Sequence, residues 1–241
     1  MESSGALHLS FNDPIPMARS LKIKIAGSEE HVSGLLQLPR DALCIMALAH
    51  GAGAGMQHKF MSSLADALEG QGVGTLRFNF HYMERGGGRP DFPKVAHKAL
   101  HAAIAKALPY SVKAGIPVVA GGKSFGGRMF SQLAAMDTDP GFQALVYFGF
   151  PLHAPGKPGV SRADHLRDIK LPMLFLQGTR DTLAQEDLIR EVSKGLRRAT
   201  LQMVDGADHG FHMLKKSGIS DEEAIKDLAA RSANWLRKKL K

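Results

Sequence analysis

Gly122-Lys123-Ser124-Phe125-Gly126 fits the pattern G-x-S-x-G. In that pattern a serine stands on a turn too tight for side chains two residues before it and two after. Gly121 and Gly127 add further room. The β-branched run "PVVAG" precedes the turn and the apolar-periodic "RMFSQLAAM" follows it, which is the strand–turn–helix setting the pattern needs. The competing reading is a glycine-rich turn whose serine caps a helix. As a nucleophile Ser124 needs a base and an acid, with the acid next in the chain and the histidine after it. Asp181 sits just past the strand-like run "LPMLFLQG", whereas Glu186 and Asp187 fall into a helical segment. His209 follows "LQMVDGA" in a glycine-flanked loop, with His212 three residues on. Ser124, Asp181 and His209 are therefore the candidate catalytic residues. Asp205 and Asp208 lie too close to His209 for a separate acid loop and read as turn formers.

Acyl transfer also requires donors for a developing oxyanion. The Phe125 amide is one candidate. The second belongs to "HGAGAG" (50–55), where Ala52 and Gly53 are the candidates. The same stretch fails as a dinucleotide-binding G-x-G-x-x-G, because Met56 and His58 stand where its two frames need glycine. No acidic residue follows at the distance a ribose contact wants. The closest histidine pairs, His50/His58 and His209/His212, have no third ligand at useful spacing and there is no H-E-x-x-H. Neither a cofactor nor a metal is expected.

Around these residues apolar β-rich runs recur at 20–25, 32–38, 42–50, 73–80, 116–122, 144–150, 172–178 and 199–206. Helical periodicity fills 57–70, 92–109, 125–136, 184–195 and 221–239. That alternation predicts an α/β fold around a mostly parallel eight-stranded sheet with helices on both faces. The first two runs are joined by "AGSEEH", a hairpin-length link that predicts an antiparallel N-terminal edge. No composition break divides the 241 residues, so one domain is expected, with 1–19 as a loosely ordered N-terminal extension. Trp235 falls on the apolar stripe of the last helix and reads as a core anchor.

Arg77, Asn79, His81 and Tyr82 run off the fourth strand, where ligands of such sheets gather, or else anchor the neighbouring loops. His50, His81, Tyr82 and Arg162 are the candidate substrate-binding residues. His153, Lys157, Arg162 and His165 either line the site entrance or form a solvated basic loop. Lys123 and Arg128 flank the serine and receive no catalytic role. The segment 151–171 is short and rich in proline and glycine, so no large lid is expected.

The 31 basic and 23 acidic residues leave a net charge of +8. The excess is spread along the chain without aromatic interleaving, so no nucleic-acid partner is expected. No run approaches the ~20 apolar residues of a membrane span and no signal segment is present, so a cytoplasmic protein without membrane contact is expected. The single cysteine, Cys44, lies in an apolar run and reads as a small hydrophobe.

The stretches "AHGAGAGMQHKFM", "GVGTLRFNFHYME", "GGKSFGGRM", "FGFPLHAPGKPG", "LPMLFLQGTRDTL" and "ADHGFHM" resemble the α/β-hydrolase superfamily near its dienelactone-hydrolase branch. Within it they look most like the small hydrolase-like family shared by bacterial proteins, a testis-expressed vertebrate protein and a subunit of a chromatin acetylation complex. The resemblance spans about Leu43 to Lys239. It implies the α/β-hydrolase fold, the catalytic set Ser124, Asp181 and His209, and an oxyanion loop at Gly51 to Gly53. Dienelactone hydrolases use a cysteine nucleophile where this chain has Ser124. The expected activity is hydrolysis of small esters or thioesters through an acyl-enzyme. The alternative is a catalytically silent interaction module, which has no reason to keep nucleophile, acid, base and oxyanion glycines together.

Overall fold

The structure, a computed structural model, describes residues 18–240. Of the 1–19 extension, residues 1–17 lie outside the described residues. Eight strands form one sheet: β1 (Arg19–Lys24), β2 (His31–Gln37), β3 (Cys44–Ala49), β4 (Val73–Phe78), β5 (Val118–Lys123), β6 (Leu145–Phe148), β7 (Met173–Gly178) and β8 (Ala199–Val204). Their spatial order is β1-β2-β4-β3-β5-β6-β7-β8. β2 runs antiparallel to both β1 and β4, and every later pairing is parallel. The antiparallel start and the parallel remainder follow the chain connections: a short turn joins β1 to β2, whereas helices carry the crossovers.

The helices are α1 (Lys59–Glu69), α2 (His81–Glu84), α3 (Pro93–Ala114), α4 (Phe125–Met136), α5 (Glu186–Lys194) and α6 (Asp221–Lys239). Period-2 alternation sends the side chains of each buried strand to two cores. In β3, Cys44, Met46 and Leu48 join α1 and α6 on one face, while Ile45, Ala47 and Ala49 join α3, α4 and α5 on the other. Trp235 is buried in the α1/α6 core and its indole N–H donates to Thr200 Oγ1 at 3.0 Å. Cys44 is also fully buried there, and desolvation pushes its thiol up to about 12.

Two local differences from the sequence reading have simple causes. α3 continues five residues past Pro109 because that proline and Ala105, whose carbonyl loses its partner, both face solvent. Gly115, at φ 65, then ends the helix. α2 has only four residues and so has no readable period. The 151–171 segment forms a single 3₁₀ stretch, Ser161–Asp168, packed on α4, and builds no cap.

Candidate active site

The parallel strands deliver the chemistry-bearing residues to one edge. The loop 50–55 leaves the carboxyl end of β3, Ser124 that of β5, Asp181 that of β7 and the 205–212 loop that of β8. A parallel sheet puts these strand ends side by side, although the residues are far apart in sequence.

Ser124 has φ 47 and ψ −110, one of only two positive-φ non-glycine residues among those described. A side chain is rare in this conformation, and it is held because the flanking glycines let strand and helix close up. A Cβ on Gly122 would collide with the backbone of Gly126 and Gly127, and one on Gly126 would stand 2.6 Å from the His50 carbonyl oxygen. The hydroxyl is thereby turned toward His209, whose Nε2 lies 2.8 Å from Ser124 Oγ. The other ring nitrogen, Nδ1, lies 2.7 Å from Asp181 Oδ2. A carboxylate only accepts, so Nδ1 carries the proton and Nε2 is free to accept from the serine.

Asp181 is buried, and its charge is matched by donors. Its Oδ1 accepts the Leu183 N–H at 2.8 Å, and its Oδ2 also accepts an N–H from the Gln177 amide. Gln177 is itself fully buried, and its Oε1 accepts the Phe150 N–H at 2.9 Å. Sequence reasoning passed over Gln177. Its signal was a lone amide at the end of the apolar run of β7, four residues before Asp181.

Gly51, Ala52, Gly53 and Ala54 border Ser124 and His209 in a cleft of about 1030 Å³ that continues between α1 and the N-terminal half of α6. Phe60 and Phe211 line it and stack on each other, with ring centres 5.9 Å apart. As the first residue of α4, Phe125 has an amide with no partner inside its helix. A carboxylate–imidazole–hydroxyl chain beside such an amide can move a proton off the hydroxyl and receive negative charge nearby.

The candidate substrate-binding residues lie elsewhere. His50 is fully buried; its Nδ1–H donates to the Gly51 carbonyl at 2.8 Å and its Nε2 accepts the Phe80 N–H at 3.1 Å. Burial lowers it to about 4. Tyr82 is buried too, with its hydroxyl 3.0 Å from both the Gly51 and Ala52 carbonyls, and burial followed by the Asp91 charge raises its pKa. These two residues brace the 50–55 loop from behind. His81 is buried 3.6 Å from Glu30, and Arg162 donates to the His153 carbonyl. None of the four lines the cleft. His50, Tyr82 and Arg162 are instead engaged by backbone groups, and His81 is buried.

Arg77 and Asn79 anchor the same loop, Arg77 through the Met56 carbonyl and Ser62, Asn79 through the Met56 N–H. In the basic segment, Lys157 faces solvent, His153 is buried against Gln185 and His165 meets Ser131 of α4 at 2.7 Å. Asp208 accepts the amides of Gly210 and His212, and Asp205 accepts from Thr179, so both shape turns. His212 reaches Asp221 at 2.7 Å, which raises the histidine; the Met213 N–H and then His212 lower the aspartate. Among the described residues no group of three or more His, Cys, Asp or Glu could hold a metal ion, and no helix is long and apolar enough to cross a membrane.

The architecture is similar to that of a dienelactone hydrolase from Anabaena variabilis, at 19% identity and a TM-score of 0.72, covering 95% of this chain and 100% of that one. It is also similar to an esterase from Pyrococcus furiosus, at 16% identity, 93% coverage of both chains and a TM-score of 0.70. A third likeness is to an α/β serine hydrolase without lid from Xanthomonas campestris, at 19% identity and a TM-score of 0.64, covering 91% of this chain and 98% of that one. At these identities the likeness carries the α/β-hydrolase fold. Residues 42–237 match the alpha/beta hydrolase domain family, and, sequence and fold agreeing, the chain belongs to that family.

Proposed function

We propose that the protein is a serine hydrolase of small esters or thioesters, working through an acyl-enzyme. The observation that carries the reading is the unbroken hydrogen-bond chain Asp181–His209–Ser124, at 2.7 and 2.8 Å, ending on a serine held at φ 47. His209 Nε2 takes the hydroxyl proton as Ser124 Oγ attacks the substrate carbonyl. The oxyanion then accepts from the Phe125 amide and from an amide of the Ala52–Gly53 loop. Asp181 keeps Nδ1–H facing away from the serine and stabilises the imidazolium. As the tetrahedral intermediate collapses, His209 returns the proton to the departing alkoxide or thiolate. Water, deprotonated by the same nitrogen, then releases the acid from Ser124. The cleft between α1 and α6, apolar at Phe60, Met61, Phe211 and Ile225, suits an acyl or leaving group larger than acetyl.

Labelling with a fluorophosphonate probe tests this reading. Ser124 is expected to be the labelled residue by mass spectrometry, and labelling is expected to vanish in Ser124→Ala and His209→Ala. Turnover of a short-chain aryl ester in Ser124→Ala is expected to fall at least about 10³-fold with the fold intact. A folded wild-type protein that takes no label would return the interaction-module reading to the front.

A further inference from the structure

The mechanism uses the turn at Ser124 but gives no task to Lys123, the residue before it. Alternation along β5 sends Val119 to the α1/α6 face, and Lys123, four residues on, points the same way. There its ammonium lies 5.9 Å from the Phe60 ring centre and 5.5 Å from that of Phe211. Its Nζ–H donates to the main-chain carbonyl of His209 at 2.5 Å. Gly149 leaves the space for this approach: a Cβ on it would stand 3.3 Å from Lys123 Nζ and 3.5 Å from His209 Nδ1. Ammonium and imidazole are therefore no more than about 7 Å apart. The charged groups facing the ammonium are Asp181 beyond β7, and Asp208 and His212 on the loop that carries His209.

A methionine or leucine would fill this space without the cost of desolvating a charge. What the ammonium adds is a donor for the loop that carries His209. We infer that Lys123 is a positioning residue, tying the His209 loop to the strand that ends in Ser124. The inference rests on the function proposed above. Burial lowers Lys123 to about 8, with Asp181 and Asp208 pulling the other way, so the charge is present through neutral pH. Above that value the amine still donates to the His209 carbonyl, so the tether does not depend on the charge.

The test compares Lys123→Met, Lys123→Arg and Ser124→Ala with the wild type on an aryl butyrate ester between pH 5 and 9. Amide hydrogen exchange of the 205–213 segment is followed in parallel. Lys123→Met is expected to lower kcat about 10- to 100-fold with KM little changed. It is also expected to speed exchange in 205–213. Lys123→Arg, which keeps the donor, is expected to recover part of both. Wild-type kcat and exchange in Lys123→Met would overturn the inference. So would equal losses in both variants, since the lysine would then only fill space. If Lys123→Met does not fold, Lys123→Gln, whose shorter side chain stops short of the His209 carbonyl, takes its place, and wild-type kcat and exchange in that variant overturn the inference. Ester turnover that is absent in the wild type, or that survives Ser124→Ala, overturns the proposed function instead. Unchanged exchange in 205–213 then overturns the tether independently.

Discussion

Asp181 shows how much of the candidate site is decided one side chain at a time. Its two oxygens receive only donors: the His209 ring N–H, the Gln177 amide and the Leu183 backbone N–H. An asparagine cannot match this set, because its NH₂ group must face one of those donors or turn the imidazole to its other tautomer. Asp181→Asn is therefore expected to lower kcat by on the order of 10³- to 10⁴-fold with only a modest change in KM. Steady-state kinetics on an aryl ester decides it, and a loss below about tenfold would mean that Asp181 does not orient the base. The position of Asp181 past a strand end, with Glu186 and Asp187 in a helix, was legible in the chain: the latter two open α5, whereas Asp181 follows β7. The partnership with Gln177 was not, since nothing local marks a strand-end glutamine as facing a carboxylate four residues later.

At the scale of elements, the β5–turn–α4 unit holds the serine in its unusual conformation by excluding side chains. Gly126 abuts the end of β3, where a Cβ would sit 2.6 Å from the His50 carbonyl oxygen and 2.7 Å from Ala49 Cβ. These are backbone and strand atoms with no freedom to move aside. Gly126→Ala is expected to destabilise the protein by about 1–3 kcal/mol in urea unfolding and to lower fluorophosphonate labelling more than proportionally. Normal labelling in a destabilised variant would show that the turn can relax without moving Ser124. The need for glycine on both sides of the serine was visible as a spacing. The obstruction is the end of a neighbouring strand, at Ala49 and His50 far earlier in the chain, and only the β3–β5 pairing brings it there.

At the scale of the whole molecule, His50 links the candidate site to acid stability. Burial lowers it from the ordinary 6.5 to about 4. The unfolded chain therefore binds a proton before the folded one does, so stability is full above about 6.5 and is lost as pH falls toward about 4. The half-buried His97 and His165, also lowered by desolvation, act in the same direction. Unfolding free energy is expected to drop across this window with a slope of up to about 1.4 kcal/mol per pH unit from His50. His50→Asn is expected to flatten the slope in urea melts, and an unchanged slope would assign the acid sensitivity to the other two histidines. The chain by itself determined the eight strands, their order in sequence and the residues placed at their ends, because period, glycine spacing and strand–turn–helix succession are local properties of the polymer. Only the tertiary structure decided which polar residues at that edge face the cleft and which face protein. His50 and Tyr82 sit one or a few residues past strand ends, just as Ser124 does, yet they turn inward to brace a loop. Lys123, placed by strand alternation, meets a carbonyl 86 residues away. A side chain's direction follows from its strand, but what stands in that direction depends on which strands pair, and sequence-distant pairing is fixed only when the whole sheet closes.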